Sequence, residues 1–503
     1  MKKATITINK EFKKGKIDKR IYSSFVEHMG RVVYSGIYEP THATADKDGF
    51  RQDVLLLVKE MGVTGIRYPG GNFVSCYDWR DGVGPQEKRP NKLEIAWRAI
   101  ETNEFGINEF MKWAKKAEIE PIFAVNLGTK GIENAVSLVE YCNIEGNTLY
   151  SDLRKEHGVE KPYEIETWCL GNEMDGDWQV GHKTAEEYGR LAQETAKAMK
   201  LVDTNIKLVS CGSSKSSMDT YPEWEATTLS YTYDYVDYIS LHQYYDGQDK
   251  GTAYFLAQAL DMEHYIQTVI STCNYVKAKK RSKKDMYISF DEWGVWSMAD
   301  SEVLAEVDAS PWQVAPAFSE QIYSMEDSLL FASMMMNFLK YADRIKIACQ
   351  SLLTNISAAI MTEKNGLAWV QPIYYPFAYM SKYGRGTVLQ DLQECETYSC
   401  ELFNKVPFVD SVAVYNEKEQ EIVYFHVNRC EEDISMEGEL QGFSIAEVIE
   451  HVELWSENRK DTNLQNHNLV KPVKVKDTAI QGENKITYSL KALSWNMIRV
   501  KVK

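Results

Sequence analysis

Nowhere in the 503 residues does an apolar run approach the ~18 residues a membrane-spanning helix needs. No segment is therefore expected to cross a bilayer. Positive charge is also scarce: 57 Lys and Arg stand against 73 Asp and Glu, a formal net charge of −16. That balance counts against partners that present phosphates, whether nucleic acid or an anionic membrane surface, and suits a neutral substrate. The nine cysteines include no CxxC pair, and no Cys/His cluster has the spacing of a zinc site, so neither a metal nor a cofactor is expected. Cys169, Cys211 and Cys349 lie inside apolar runs, as reduced, buried thiols of a cytoplasmic protein do. The first ten residues alternate like a strand and show no apolar core behind their lysines, so no signal peptide is read there. Internal repeats and low-complexity linkers are also missing.

What is present is ample core material, 44% hydrophobic and 12% aromatic. The length exceeds one ordinary core and suits a barrel of roughly 250 to 400 residues with a smaller companion domain. From residue 19 onward strand-like and helix-like segments alternate. Strands are expected at Ile21–Phe25, Val63–Arg67, Pro121–Asn126, Glu166–Glu173, Ile206–Cys211, Val236–His242, Met286–Glu292 and Arg344–Gln350. Between them helical spacing appears at Gly49–Met61, Ile107–Ala117, Ile132–Tyr141, Ala185–Leu201, Thr252–Lys279 and Glu320–Tyr341. Strand–helix units in series predict an α/β fold, a (β/α)8 barrel spanning residues 19–382. An open doubly wound sheet is the alternative, but no Gly-rich dinucleotide turn follows any strand. From about Tyr383 the pattern is all-β, with a hairpin at 411–415 and 422–427. Residues 383–503, joined by the N-terminal strand within 1–18, are expected to form a jelly-roll-like β-sandwich.

Two stretches carry chemistry. Trp168-Cys169-Leu170-Gly171-Asn172-Glu173 and Met286-Tyr287-Ile288-Ser289-Phe290-Asp291-Glu292 are apolar strands that each end in a glutamate. In serial order these are the fourth and seventh strands, whose ends can face one another across a barrel mouth. Paired carboxylates there suit glycoside hydrolysis, in which one protonates the leaving oxygen while the other attacks the sugar or activates water. The chemistry needs asymmetry, a protonated acid beside an ionised partner. Spacing alone leaves open whether each glutamate does this or merely forms a surface ion pair. Asn172 is placed to donate to a sugar hydroxyl, and Trp293 and Trp296 to stack on sugar faces.

Five stretches carry a resemblance to a known family. Ser24-Phe25-Val26-Glu27-His28, Arg67-Tyr68-Pro69-Gly70-Gly71-Asn72-Phe73-Val74-Ser75, Trp168 to Gly176, Ser240-Leu241-His242-Gln243-Tyr244-Tyr245 and Ser289-Phe290-Asp291-Glu292-Trp293 occur in order on the expected strand ends. With them the chain resembles glycoside hydrolase family 51, the retaining α-L-arabinofuranosidases, over nearly its whole length. The resemblance implies Glu173 as general acid/base and Glu292 as nucleophile. It implies Glu27 as acceptor from sugar hydroxyls, Arg67 as hydroxyl ligand or carboxylate orienter, and Asn72, Asn172 and Tyr244 as further sugar contacts. His242 is read as orienting a carboxylate, with a structural histidine as the alternative, and Trp97, Trp178 and Trp296 as the leaving-group side or packing. The family pattern departs at Leu352, three residues before Asn355, where a glutamine is usual; Gln350 lies nearby but two positions early. Cys76 and Asp177, where glycine and proline are usual, are smaller differences. The implied activity is release of terminal arabinofuranosyl units from oligosaccharides by an exo-acting cytoplasmic enzyme, often a hexameric homo-oligomer. Leu352 keeps a β-xyloside, galactofuranoside or glucan as alternative substrates, and a non-catalytic sugar-binding protein is a more distant one.

Overall fold

The computed structural model describes residues 1–297, 300–309 and 311–503. Eight parallel strands close into a barrel in sequence order: Ser23–Phe25, Gly65–Tyr68, Glu120–Val125, Thr167–Leu170, Lys207–Ser210, Tyr238–Tyr245, Tyr287–Val295 and Ile345–Gln350. The eighth pairs with the first at Cys349 and Ser23, which closes the ring without an edge. Most positions of the strands are buried, so the strands read as nearly continuous apolar runs and not as alternating ones. The main helices follow the 3.6-residue spacing, among them Ile107–Ala117, Ala185–Val202 and Thr252–Lys280. Helix Met325–Lys340 starts five residues later than the sequence suggested, at a capping box in which Ser324 accepts from the Asp327 amide.

That helix is buried along nearly its whole length. One side meets the barrel's seventh and eighth strands, and the other meets strands Val409–Asn416, Glu421–Asn428 and Ser494–Val502 of the C-terminal sheet. Burying Met334, Met335, Met336, Phe338 and Leu339 there contributes roughly 1.5–3 kcal/mol each. Below them Asp410 takes Lys340 from the barrel side and Arg429 at 2.6 Å from its own sheet, so the buried charge is paired.

The sheet has ten strands in one hydrogen-bonded order. The N-terminal strand Lys2–Lys16 lies inside it, antiparallel to Thr387–Cys395 and parallel to Ile434–Gln441, where the sequence reading put it. The sheet curls over on itself, so Ile6 and Ile8 share a core with Ile486, Tyr488, Ile498 and Val500 from distant strands. The sequence reading missed helices Leu149–Glu156, Glu223–Thr232 and Tyr374–Tyr383, and two short hairpins over the barrel mouth, 92–101 and 360–370.

Candidate active site

Strand four stops at Leu170, earlier than expected, because the chain turns sharply. Gly171 has φ +90°, and a β-carbon there would press to 3.2 Å of Met174 and 3.3 Å of Leu127. Glu173 follows with φ +45°, a left-handed conformation that a non-glycine residue pays for in strain of order 1–3 kcal/mol. The turn aims Asn172 and Glu173 across the mouth. Strand seven delivers Glu292 from the other side through a β-bulge: between the pairs Ser289–Ser240 and Glu292–His242 it has one residue more than strand six. One carboxylate oxygen each of Glu173 and Glu292, and a ring nitrogen of His242, all lie within 4.8 Å of one another.

Both glutamates are held by donors. Glu292 accepts from Arg67 Nη1 at 2.7 Å and from the Tyr244 hydroxyl at 2.9 Å. Ser351 Oγ lies 2.7 Å from the same hydroxyl. Glu173 Oε1 is 2.9 Å from His242 Nδ1, and its Oε2 accepts from Trp178 Nε1 at 2.7 Å. The other ring nitrogen, Nε2, is 2.9 Å from Asp291 Oδ1. Arg67 Nη2 donates to Asn172 Oδ1 at 2.6 Å, which fixes the amide and leaves Asn172 Nδ2 buried with no partner among the described residues. That nitrogen faces Gly71, where a β-carbon would stand 3.3 Å from it, 3.0 Å from Glu292 and 3.2 Å from Glu27. Glu27 accepts the Phe73 amide at 2.9 Å and Trp97 Nε1 at 3.0 Å. Trp296 packs edge-on against the Tyr244 ring at 5.7 Å. Asn72 accepts from Gln179, itself held by Ser75.

Burial lifts the Glu292 carboxyl above its ordinary range; the His242 and Arg67 charges oppose that lift, and repulsion from Glu173 adds to it. Burial would raise Glu173 too, but the His242 hydrogen bond and charge outweigh it and hold that carboxyl low. His242 is raised to about 10: burial works against the charge, and Glu292, Asp291 and Glu173 overcome it. The site thus contains an imidazolium and a guanidinium among Asp291, Glu173 and Glu292. The asymmetry runs opposite to the one expected from the chemistry, because His242 Nδ1 lies 2.9 Å from Glu173 but 3.6 Å from Glu292. Glu27 is pushed to about 7 by burial and by the Glu292 charge.

Some expected residues lie elsewhere. Trp293 does not face the mouth; it is buried between Phe331 and Phe338, ring centroids 4.7 and 5.0 Å away. Gln350 ends strand eight fully buried, its amide donating to the Ser357 carbonyl at 3.0 Å, so it is not brought to the carboxylates. Leu352 belongs to the apolar core at 1% exposure. Ser351, between them, makes the polar contact. Sequence reasoning also missed Asp291, since strict strand alternation would place it and Glu292 on opposite faces; the bulge is what brings both inward. A separate cavity of about 500 Å³ lined by Tyr38, Gly84, Lys112 and His157 contains none of these residues.

A closed parallel barrel with two carboxylates and their cationic partners at the ends of its fourth and seventh strands defines a barrel glycoside hydrolase. Comparison narrows the class. Residues 57–259 match the model of the α-L-arabinofuranosidase 1 domain and residues 291–494 that of the α-L-arabinofuranosidase C-terminal domain. The chain is 52% identical over 502 residues to an intracellular exo-α-(1→5)-L-arabinofuranosidase of Acetivibrio thermocellus, covering 99% of this chain and 100% of that one. It is also 52% identical to an enzyme of the same description from Bacillus subtilis, covering 100% and 99%. A solved structure of a family 51 α-L-arabinofuranosidase from Bifidobacterium longum superposes with a TM-score of 0.95 at 39% identity, covering 99% of this chain and all of the other. The chain belongs to glycoside hydrolase family 51, the α-L-arabinofuranosidases.

Proposed function

We propose that this protein is an intracellular exo-acting α-L-arabinofuranosidase that removes terminal arabinofuranosyl units from short arabino-oligosaccharides with retention of configuration. The observation that carries the reading is the close approach of the two carboxylates, with oxygens within 4.8 Å. Retaining pairs stand about 5–5.5 Å apart, whereas inverting pairs leave about 6.5–9.5 Å for a water. Glu292, gripped by Arg67 and Tyr244, attacks the anomeric carbon and forms an ester. The bond to the leaving oxygen breaks as Glu173 protonates it. Glu173, now ionised, then takes a proton from water, which hydrolyses the ester and frees Glu292.

The first step needs the proton on Glu173. His242 Nδ1 faces both carboxyls and offers a short path between them, so the pair titrates as a unit and both limbs of the pH profile belong to it. Asn172 Nδ2, a buried donor without a partner among the described residues, is aimed at a sugar hydroxyl. Glu27, Asn72, Trp97, Trp178 and Trp296 line the remaining walls. Leu352 sits in the core and supplies no reason for a sugar other than arabinofuranose. Residues 19–382 carry this chemistry, and 1–18 with 383–503 buttress it. Assembly as a homo-oligomer rests on the family resemblance and is read from the mass in light scattering.

Glu292→Ala is expected to stop turnover on every substrate. Glu173→Ala should retain activity on aryl arabinofuranosides with good leaving groups and lose it on oligosaccharides. Normal turnover by Glu292→Ala would overturn the assignment.

A further inference from the structure

Behind the two glutamates lies a third carboxylate, Asp291, fully buried on the bulge of strand seven. We infer that Asp291 is the positioning residue of the site, a single carboxylate that fixes His242 behind Glu173 and Arg67 behind Glu292, so that acid/base and nucleophile are held as one unit. The inference rests on the roles given above to those two glutamates.

The contacts divide cleanly. Asp291 Oδ1 meets His242 Nε2 at 2.9 Å. Its Oδ2 lies 3.5 Å from Arg67 Nε, a buried nitrogen with no hydrogen-bond partner of its own. The Cys169 thiol donates to the same oxygen at 3.4 Å. These partners come from strands two, four and six, so one side chain of strand seven joins four strands across the barrel interior. Each cation then passes the order outward: His242 to Glu173, and Arg67 to Glu292 and Asn172.

The physical need for Asp291 is orientation as well as charge. An imidazole with one nitrogen anchored on a carboxylate has its ring plane and tautomer set, so Nδ1 has a fixed direction. Without the anchor the ring can turn, and the proton on Nδ1 is no longer aimed at Glu173. The guanidinium is a planar fork whose three nitrogens are placed together. With Nε beside Asp291 and Nη2 on Asn172, Nη1 can only point at Glu292. Both cations are buried, and burial without a countercharge is costly, so Asp291 also keeps them charged. A buried aspartate that merely satisfied the core would not have both of its cationic neighbours in direct contact with the reacting carboxyls.

The test is Asp291→Asn in the full-length enzyme. The amide retains one acceptor for His242 Nε2 but neither the charge nor the acceptor toward Arg67. Removing the carboxylate that orients a catalytic histidine costs about 10⁴-fold in a serine protease. Here Trp178 and Tyr244 still hold the glutamates, so kcat is expected to fall about 100- to 1000-fold. KM should stay within about threefold, since Asp291 touches no sugar. The loss should appear on activated aryl glycosides, because the nucleophile is affected, and be larger on poor leaving groups, because the acid is affected too. A kcat within threefold of wild type, or a loss confined to KM, overturns the inference. Glu292→Ala run alongside separates the two levels: activity there refutes the roles of the glutamates, whereas an inactive Glu292→Ala beside a fully active Asp291→Asn refutes only the role of Asp291. A second measurement needs no folded Asp291 variant. Wild type should show a far-downfield imidazole N–H proton resonance that His242→Gln removes, and its absence from wild type overturns the inference.

Discussion

Replacing Arg67 with Met tests how much of this site depends on one guanidinium. Arg67 is 1% exposed and touches Glu292 at 2.7 Å, Asn172 at 2.6 Å and Asp291 at 3.5 Å, with its guanidinium 4.8 Å from the Phe25 ring centre. Methionine roughly fills the volume, so the change is mainly electrostatic. Removing one partner of a buried ion pair costs about 3–5 kcal/mol, because the remaining charge stays buried. That deficit should depend on pH with a definite sign. Burial and Glu173 already raise the Glu292 carboxyl, and losing the guanidinium raises it further. Between an unfolded pKa near ~4.3 and its higher folded value, folded Glu292 binds a proton that the unfolded chain does not. Stability therefore falls as pH rises through that window and returns as pH drops toward the unfolded value, by at most about 1.4 kcal/mol per unit. Urea unfolding followed by tryptophan fluorescence at pH 7.5 and 5.5, variant against wild type, measures this. A large deficit at the higher pH that shrinks at the lower is expected. An unchanged midpoint, or a deficit equal at both, would refute the reasoning.

Tyr244→Phe removes a hydroxyl donor to Glu292; a hydrogen bond to a charged group is worth about 1.5–3 kcal/mol, so kcat/KM should drop about 10- to 150-fold, as aryl-glycoside kinetics would show. His426, buried in the sheet between Ser411 Oγ at 2.7 Å and the Tyr488 hydroxyl at 2.8 Å, is pushed by burial to about 3. Below ~6.5 the unfolded chain takes up a proton that the folded state refuses, so wild type should lose about 1.4 kcal/mol per pH unit there, and His426→Gln should flatten that slope in thermal melts. Glu173, His242 and Glu292 are close enough to hold a cation, but both His242 nitrogens already engage carboxylates; activity is expected to survive exhaustive dialysis against EDTA, and restoration by a divalent metal would contradict this.

Strand order, barrel closure and the two glutamate-tipped strands were legible because buried parallel strands read as apolar runs with their functional group at the end. Edges were less legible. Strand four ends at Leu170 because Gly171 takes a positive φ, which an apolar run does not announce. The N-terminal strand joined the C-terminal sheet, as expected of a strand with no parallel neighbour in the barrel, while the hairpins 92–101 and 360–370, short and only partly apolar, left no periodic trace. Asp291 escaped because a bulge breaks the two-residue alternation. Ser351 escaped because a lone serine past the end of an apolar strand carries no signal of its contact with the Tyr244 hydroxyl. The direction in which Glu173 and Glu292 are shifted was beyond reach, since it depends on a 2.9 Å against a 3.6 Å separation from one histidine.

Proton NMR of the first product released from an aryl α-L-arabinofuranoside, recorded before mutarotation, tests the double displacement most directly. Two successive inversions at the anomeric carbon should deliver α-L-arabinofuranose first, with the β-anomer growing in later. If the β-anomer appears first, water attacks the sugar directly, and Glu292 is not the nucleophile.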